Sequence, residues 1–379
     1  MILTDTQELV RDTARSFARA RLAPNARDWE ATGTIPAEIF TEMGALGFLG
    51  MTVPEALGGA GLDYVSYALT LMEIAAGDGG ISTIMSVNNA PVCGILASRG
   101  SADQQARFLR PLAAGEMIGA FALTEPHAGS DAAAMRMRAT RSERGYLLNG
   151  VKQFITSGRI AKVVITFAVT DPAAGKRGIS AFLVPTDASG FRVSGIEHKL
   201  GQQSSDTAQL SYEDVLVDES LRIGAEGEGY RIALANLETG RIGIAAQSVG
   251  MAEAALAYAT HYAKERKSFG KALAEHQAVL FRLADMATQV AAARELVLAA
   301  AALKDAGRPC LKEACIAKLF ASEAAEKVAS AAIQVLGGYG YVRDYPVEKI
   351  YRDVRVCQIY EGTSDVQRMI IGREQLAQG

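Results

Sequence analysis

Residues 145–155 read GYLLNGVKQFI and residues 162–169 read KVVITFAV. Both are short, β-branched and aromatic, which is the texture of strands in a half-buried or buried sheet. Asn149-Gly150 sits between two such runs. That dipeptide is a hairpin signal, because both residues tolerate the positive φ that a tight turn requires. MIGAFAL (117–123), GISAFLVP (178–185) and AQLSYEDVLV (208–217) have the same character, with no helical period between them. Short strands at this spacing predict a small antiparallel sandwich or barrel in the middle of the chain.

On both sides of this stretch the period changes. From Thr4 to about Gly115 apolar residues recur at helical spacing; Thr4 with Gln7 and Ser101 with Gln104 suit capping boxes, and Pro111 is expected to close the helix that the second box opens. From about Gly229 onward the chain is alanine-rich, and Leu280, Leu283, Ala287, Val290 and Ala291 make one apolar stripe suited to a bundle packed through small residues. The expected fold is mainly α with a central β domain. Its expected segments are an N-terminal helical domain (1–116), a small antiparallel β-barrel (117–228) and a C-terminal four-helix bundle (229–379).

The chain has 379 residues, 49% of them hydrophobic and 21% charged, and a net charge of -3. That length suits two or three domains with a large core, and that charge offers no general attraction for nucleic acid or anionic lipid. The four cysteines, Cys93, Cys310, Cys315 and Cys357, show no CxxC spacing and no neighbouring histidine, so the expectation is no metal site and free thiols in a reducing compartment. The beginning, MILTDTQELVRDTARSF, carries acids, and no run is expected to reach the roughly 20 apolar residues that span a bilayer. A cytoplasmic protein without membrane association is expected.

Two glycine clusters, Gly58-Gly59-Ala60-Gly61 and Gly337-Gly338-Tyr339-Gly340, match neither GxGxxG nor a phosphate-binding P-loop, which argues against a Rossmann domain. The second follows a helical stretch and reads either as a helix C-cap or as backbone that a ligand can approach closely. FALTEPHAGSD (121–131) ends a strand and enters a polar loop, which is either plain loop or one whose Thr124, Ser130 and amides hydrogen-bond a polar ring or a carbonyl; His127 has no obvious acid or nucleophile partner and is given no catalytic work. Residues 359–376 read IYEGTSDVQRMIIGREQL. Ser364 with Gln367 fits a capping box, so a helix is expected from Asp365, and Gly362 suits the chain reversal before it. Glu361 then lies in a tight helix-to-helix joint with no charged partner in view. It is either a surface acid or a carboxylate kept unpaired for use.

FALTEPHAGSD, ERKSFG followed by EHQ, QVLGGYGY and IYEGTSDVQR stand in the order and spacing of the acyl-CoA dehydrogenases, which the chain resembles from about residue 1 to 376. The resemblance implies a flavoenzyme that takes the α and β hydrogens from an acyl thioester, giving a trans-2-enoyl-CoA. It implies Glu361 as the base for the α-proton, the β-hydride passing to FAD, and electron-transfer flavoprotein as the acceptor. Some relatives carry the base at the position of Gly240, where this chain has no carboxylate. For FAD the resemblance implies Phe121, Leu123, Thr124, Gly129 and Ser130 near the ring system, with Phe154, Ile155 and Thr156 on its other side. Arg266, Phe269 and Gln277 of a neighbouring subunit, with Gln334, Gly337 and Gly338, would reach the pyrophosphate and adenine, and Thr363 and Asp365 would complete the site. Ser130, Leu237, Glu238, Arg241, Tyr360 and Gly362 are the implied substrate contacts. A shared site implies a homo-oligomer, expected as a tetramer built from two dimers.

Two departures stand out: Phe154 where many relatives have tryptophan, and Gln203 where many have arginine. IMSVNNA, LETGRIGIAAQ and RPCLKEACIAKLFASEAAEK look most like the short-chain and short-branched-chain members. A butyryl-CoA-like substrate is the first expectation, and 2-methylbutyryl- or isobutyryl-CoA the second. A glutaryl-CoA substrate would need an arginine where Ser82 stands. The rival readings are an acyl-CoA oxidase, a DNA-binding flavoprotein of the same fold and a catalytically silent scaffold.

Overall fold

The computed structural model describes residues 1–377, so the last two residues of the third expected segment, 378–379, lie outside the described residues. The N-terminal part is helical: α1 (Asp5–Phe17), α2 (Ala26–Thr32), α3 (Ala37–Ala45), α4 (Tyr64–Gly77), α5 (Gly79–Val87), α6 (Gly94–Arg99), α7 (Ala102–Gln104) and α8 (Arg110–Ala113). Both capping boxes form: Thr4 Oγ1 accepts from Gln7 N at 3.3 Å, and Ser101 Oγ accepts from Gln104 N at 3.2 Å. Pro111 does not close its helix. The chain stays helical to Ala113, because a π-helical turn over Gln105–Leu109 comes first and its wider ring eases the fit of the pyrrolidine.

The middle part holds β1 (Gly119–Ala122), β2 (Arg138–Ser142), β3 (Gly145–Thr156), β4 (Val163–Val169), β5 (Ile179–Pro185), β6 (Phe191–Ile196), β7 (Thr207–Asp218) and β8 (Arg222–Ile223). They form one sheet in the order β6-β7-β3-β2-β4-β5-β8, with β1 on β4. Pairing is antiparallel except between β1 and β4, and at Arg138 beside Val169. Every residue of β4 is buried, which explains a sequence apolar but for Thr166, whose hydroxyl is bonded to the Tyr212 hydroxyl at 2.9 Å.

Asn149-Gly150 is not a hairpin turn. β3 runs through it from Gly145 to Thr156, and the hairpin lies one step earlier, where Ser142 pairs with Gly145. The dipeptide makes a bulge against β7 instead: Asn149 Nδ2 donates to Asp214 Oδ1 and Asp214 N donates to Asn149 Oδ1, both at 2.9 Å. A second shift, between Lys152 and Ile155, puts Phe154 at φ 58° and turns its ring outward.

The C-terminal part has three long helices, α9 (Gly229–Glu265), α10 (Gln277–Asp305) and α11 (Leu311–Leu336), then α12 (Val347–Val354) and α13 (Ser364–Ala377). α9 ends at Glu265, Arg266 caps it in an extended conformation, and Lys267 pairs with Ala272 in a short two-stranded ribbon. Small residues bring these helices close: Ala252, Ala255, Ala259 and Ala263 of α9 share one core with Ala325, Ala329 and Ala332 of α11. At Gly250 a Cβ would stand 2.0 Å from the Met72 carbonyl, so α9 also presses on α4. α10 turns Met286, Val290, Ala293 and Val297 inward, whereas Leu280, Ala287 and Ala291 of the expected stripe are exposed. Contrary to the expectation, three helical stretches have the length and apolarity to cross a membrane: Gly79–Arg99, Gly229–Glu265 and Gln277–Asp305. The first two are mostly buried inside the protein, where an all-round apolar helix is a core element.

Candidate active site

Glu361 stands between a 3-10 turn (Arg355–Gln358) and α13, and the chain doubles back there. Glu361 has φ 53° and Gly362 φ 86°, two left-handed residues in succession. A Cβ at position 362 would lie 2.7 Å from Gln367 Nε2, so glycine is needed for space as well as for φ. Gln367 Nε2 donates to the carbonyls of Glu361 (3.1 Å) and Gly362 (2.9 Å), and Lys318 Nζ donates to Gly362 O at 2.8 Å. The helix cap is Thr363, whose Oγ1 accepts from Val366 N at 3.3 Å. The expected cap, Ser364, lies inside α13 with its hydroxyl buried and unpartnered. Gln367 therefore stitches the joint together rather than completing a capping box.

The Glu361 carboxylate points at α9. Oε2 is buried with no hydrogen-bond partner, and a Cβ on Gly240 would stand 2.7 Å from it. Burial pushes this carboxyl above its ordinary value, against the opposing charges of Arg241 and Lys318. Neither cation forms an ion pair with it among the described residues. Arg241 is buried, and its Nε is also unpartnered. The site thus holds an unpaired acid raised by desolvation, with two cations within electrostatic reach.

Tyr360, beside Glu361, is fixed by atoms from three parts of the chain. Its hydroxyl donates to Gln247 Oε1 at 3.0 Å and lies 3.4 Å from Thr83 Oγ1, with Gln202 Nε2 at 3.5 Å. Thr83 Oγ1 also meets Gln247 Nε2 and Gln202 Oε1, each at 2.6 Å. Gln202 N is bonded to Asp353, which shares Lys349 with Asp78 at 2.6 and 3.0 Å. This buried network locks α5, the 199–206 loop and α12 around the joint that carries Glu361. Gln202, Gln247, Thr83, Lys318 and Gln367 are not among the expected site residues; Gln247 and Lys318 lie in stretches noted only for their likeness to short-chain members, and Gln367 in the capping pattern after Glu361.

The other expected residues fall into separate groups. Leu237 is half-buried on α9, while Glu238 is bonded to Lys304 at 2.8 Å and accepts from Cys310 Sγ at 3.4 Å. Phe121 packs its ring 5.1 Å from Phe167, and Leu123 and Thr124 follow it into the loop of Gly129 and Ser130, which is exposed at those two residues. β3 adjoins this loop, because Gln153 N donates to Thr124 O at 2.9 Å and Lys152 Nζ donates to Leu123 O at 3.0 Å. Phe154 is 62% exposed, Ile155 is buried and Thr156 half-buried, and the buried Ser157 hydroxyl beyond them has no partner. A cradle with an outward aromatic ring, an orphaned hydroxyl and a loop rich in amides fits a flat heteroaromatic group.

Arg266, Phe269, Gln277, Gln334, Gly337 and Gly338 are exposed at the other end of the molecule's C-terminal part. The Arg266 guanidinium lies 5.7 Å from the Tyr339 ring centre, Phe269 is 95% exposed, and a Cβ at Gly337 or Gly338 would meet nothing within 4 Å. Among the described residues no hydrogen bond or ring contact ties this group to Phe121 or Phe154. Thr363 and Asp365 open α13, and Asp365 is exposed. No cluster of His, Cys, Asp and Glu suited to a metal occurs among the described residues.

Comparison with known proteins accounts for this architecture. The acyl-CoA dehydrogenase family matches in three consecutive domains: N-terminal over residues 4–116, middle over 120–215 and C-terminal over 227–376. An acyl-CoA dehydrogenase of Bacillus subtilis is 48% identical over 98% of both chains. The human mitochondrial short-chain specific acyl-CoA dehydrogenase is 44% identical over 97% of this chain and 90% of its own. Among solved structures, butyryl-CoA dehydrogenase from Megasphaera elsdenii superposes with a TM-score of 0.97 at 41% identity, covering 99% of both chains. A structure described as the electron transferring flavoprotein of Acidaminococcus fermentans does so with 0.97 at 42% identity and the same coverage. With likeness extending over nearly the whole length and through all three domains, the chain belongs to the acyl-CoA dehydrogenase family and is an acyl-CoA dehydrogenase.

Proposed function

We propose that the enzyme removes the α and β hydrogens of a short-chain acyl-CoA of the butyryl type, with Glu361 as the α-base, FAD as cofactor and electron-transfer flavoprotein as acceptor. The observation that carries this reading is the Glu361 carboxylate, buried without an ion pair against the bare Cα of Gly240. The α C–H of a thioester is a very weak acid, so its base must be basic and dry. Desolvation supplies both properties, and a hydrogen-bonded salt bridge would remove the first. The second base position known in relatives is incompatible with the first here, because a side chain on residue 240 would occupy the space of the Glu361 carboxylate.

Glu361 takes the α-proton on its carboxylate, and its own backbone N–H donates to the thioester oxygen, which stabilises the charge that develops there. Leu237, Arg241, Tyr360 and Gly362 bound the thioester, with Ser130 approaching from the β side and Glu238 reserved for the CoA arm. Hydride acceptance is the chemistry that FAD supplies when bound. Phe121, Leu123, Thr124, Gly129, Ser130, Phe154, Ile155 and Thr156 would hold its ring, and Thr363 and Asp365 lie at the neighbouring helix start. Arg266, Phe269, Gln277, Gln334, Gly337 and Gly338 would hold the pyrophosphate and adenine of a second copy's cofactor. Their exposure, and the lack of any tie to the ring cradle within one chain, support a site completed between subunits of a tetramer.

The names of the human and M. elsdenii relatives support the short-chain substrate, and the A. fermentans structure supports electron-transfer flavoprotein as partner. A distal carboxylate such as glutaryl finds no cation at Ser82, which is buried and donates its hydroxyl to Gly79 O at 2.8 Å. The work is assigned to the cytoplasm, in fatty-acid β-oxidation or, for the branched alternative, branched-chain amino-acid degradation. Anaerobic titration of the yellow holoenzyme with straight and branched acyl-CoAs of increasing length tests the substrate. The fastest loss of flavin absorbance is expected with butyryl-CoA; a preference for isobutyryl- or 2-methylbutyryl-CoA would move the assignment to the branched class. Rapid reoxidation by air would instead mark an oxidase.

A further inference from the structure

Lys318 is a buried lysine for which the chemistry above has no use. Its side chain is fully buried on α11, its ammonium donates to Gly362 O at 2.8 Å, and it forms no ion pair with any carboxylate among the described residues. An ammonium taken out of water without a carboxylate is costly, and burial pushes its pKa down to about 8 against the opposing charges of Cys357 and Glu361. The carbonyl it holds belongs to the second of the two left-handed residues that turn Glu361 toward Gly240. The groups facing Glu361 are Arg241 on α9, Lys318 on α11 and Tyr67 on α4; those facing Lys318 are Arg241, Cys315, Cys357 and Glu361.

We infer that Lys318 is a positioning residue for Glu361: it anchors the Gly362 carbonyl, so that the left-handed bend aims the carboxylate, and it sets an unpaired positive charge within reach of that carboxylate. The inference rests on Glu361 being the base. Two effects follow and are separable. Anchoring governs the rate once Glu361 is ionised, and the charge governs the pH at which it ionises.

The test uses Lys318→Met, Lys318→Gln and Lys318→Arg holoenzymes, measuring flavin content, the pH profile of anaerobic flavin reduction by butyryl-CoA, and the spectrum with acetoacetyl-CoA. That ligand enolises but has no β-hydride to lose, so it reports on proton removal without turnover. Both neutral variants are expected to bind flavin and to shift the acid limb of the reduction profile upward by about one pH unit, roughly tenfold in rate on that limb. The acetoacetyl-CoA enolate band should move the same way. Lys318→Met should also lose about tenfold on the alkaline plateau, where Lys318→Gln, whose amide can still reach Gly362 O, loses less. Profiles and enolate band superimposable on wild type would overturn the inference. If the neutral variants do not fold, Lys318→Arg decides: an unchanged acid limb with a plateau lowered at least threefold is expected, and a wild-type plateau refutes the anchoring. A Glu361→Gln holoenzyme that still bleached would refute the base, separately from anything found at Lys318.

Discussion

Two glutamates in this protein are deeply placed, and they are handled in opposite ways. Glu125, in the loop after β1, accepts from Lys152 Nζ at 2.9 Å and from the backbone N–H groups of Arg136 (2.7 Å) and Met137 (3.0 Å). Burial by itself would raise its carboxyl, yet the Lys152 charge and these hydrogen bonds hold it below its ordinary value. Glu361 also pays for burial but has no such partners, and its carboxyl is raised. Burial does not make a base. At these two sites the difference is whether the fold pairs the charge: Glu125 is paired and held down, and Glu361, the proposed base, is unpaired and raised.

The sharpest way to break that comparison is Glu361→Gln. Flavin content should be kept, while anaerobic bleaching by butyryl-CoA falls on the order of 10³–10⁴-fold; residual bleaching within tenfold of wild type would put the base elsewhere. At the paired glutamate the corresponding change is Lys152→Met, which strands a buried carboxylate. It should cost about 3–5 kcal/mol in urea unfolding, and a loss under 1 kcal/mol would mean that the pair is not structural. Between the two stands Gly240→Ala. The added methyl displaces the end of a flexible side chain rather than backbone, so stability should hold or rise by up to about 1 kcal/mol, alanine being the better helix former. The displaced carboxylate should lower the reduction rate by about 10²-fold.

The smallest effect is in the pH dependence of stability. A raised folded-state pKa means that the native protein holds a proton the unfolded chain has released, so Glu361 costs stability as pH climbs from its ordinary value through its folded one. Glu125, with its lowered pKa, contributes stability above its ordinary value and loses it as pH falls through the folded one. Glu361→Gln should therefore become more stable relative to wild type as pH rises above the ordinary carboxylate value, which urea midpoints at pH 5 and pH 8 read; Glu125→Gln should lose ground to wild type as pH rises through the more acidic window, which midpoints at pH 3 and pH 5 read.

Much of the molecule is legible from local pattern. The apolar run of β4, the capping boxes at Thr4 and Ser101 and the alanine-rich helices are consequences of residue type and spacing alone, because strand and helix periods act over a few neighbours. Asn149-Gly150 predicts a turn and forms a bulge for an equally physical reason: the same φ tolerance serves a hairpin or a bulge, and the partner strand, far off in sequence, chooses. The exposed stripe on α10 shows the same limit, since period locates an apolar face but not what covers it.

By itself the chain's sequence determined the succession of helices, sheet and helices; the tight joint left Glu361 open between a surface acid and an unpaired carboxylate, and only the resemblance of its motifs to a family singled it out. The tertiary structure decided what surrounds that carboxylate: Gly240 from α9, Lys318 from α11, and Tyr360 held by Thr83, Gln202 and Gln247. These contacts join residues that are 44 to 277 positions apart. Desolvation and electrostatic reach depend on distance in space, and no local period along a chain encodes it.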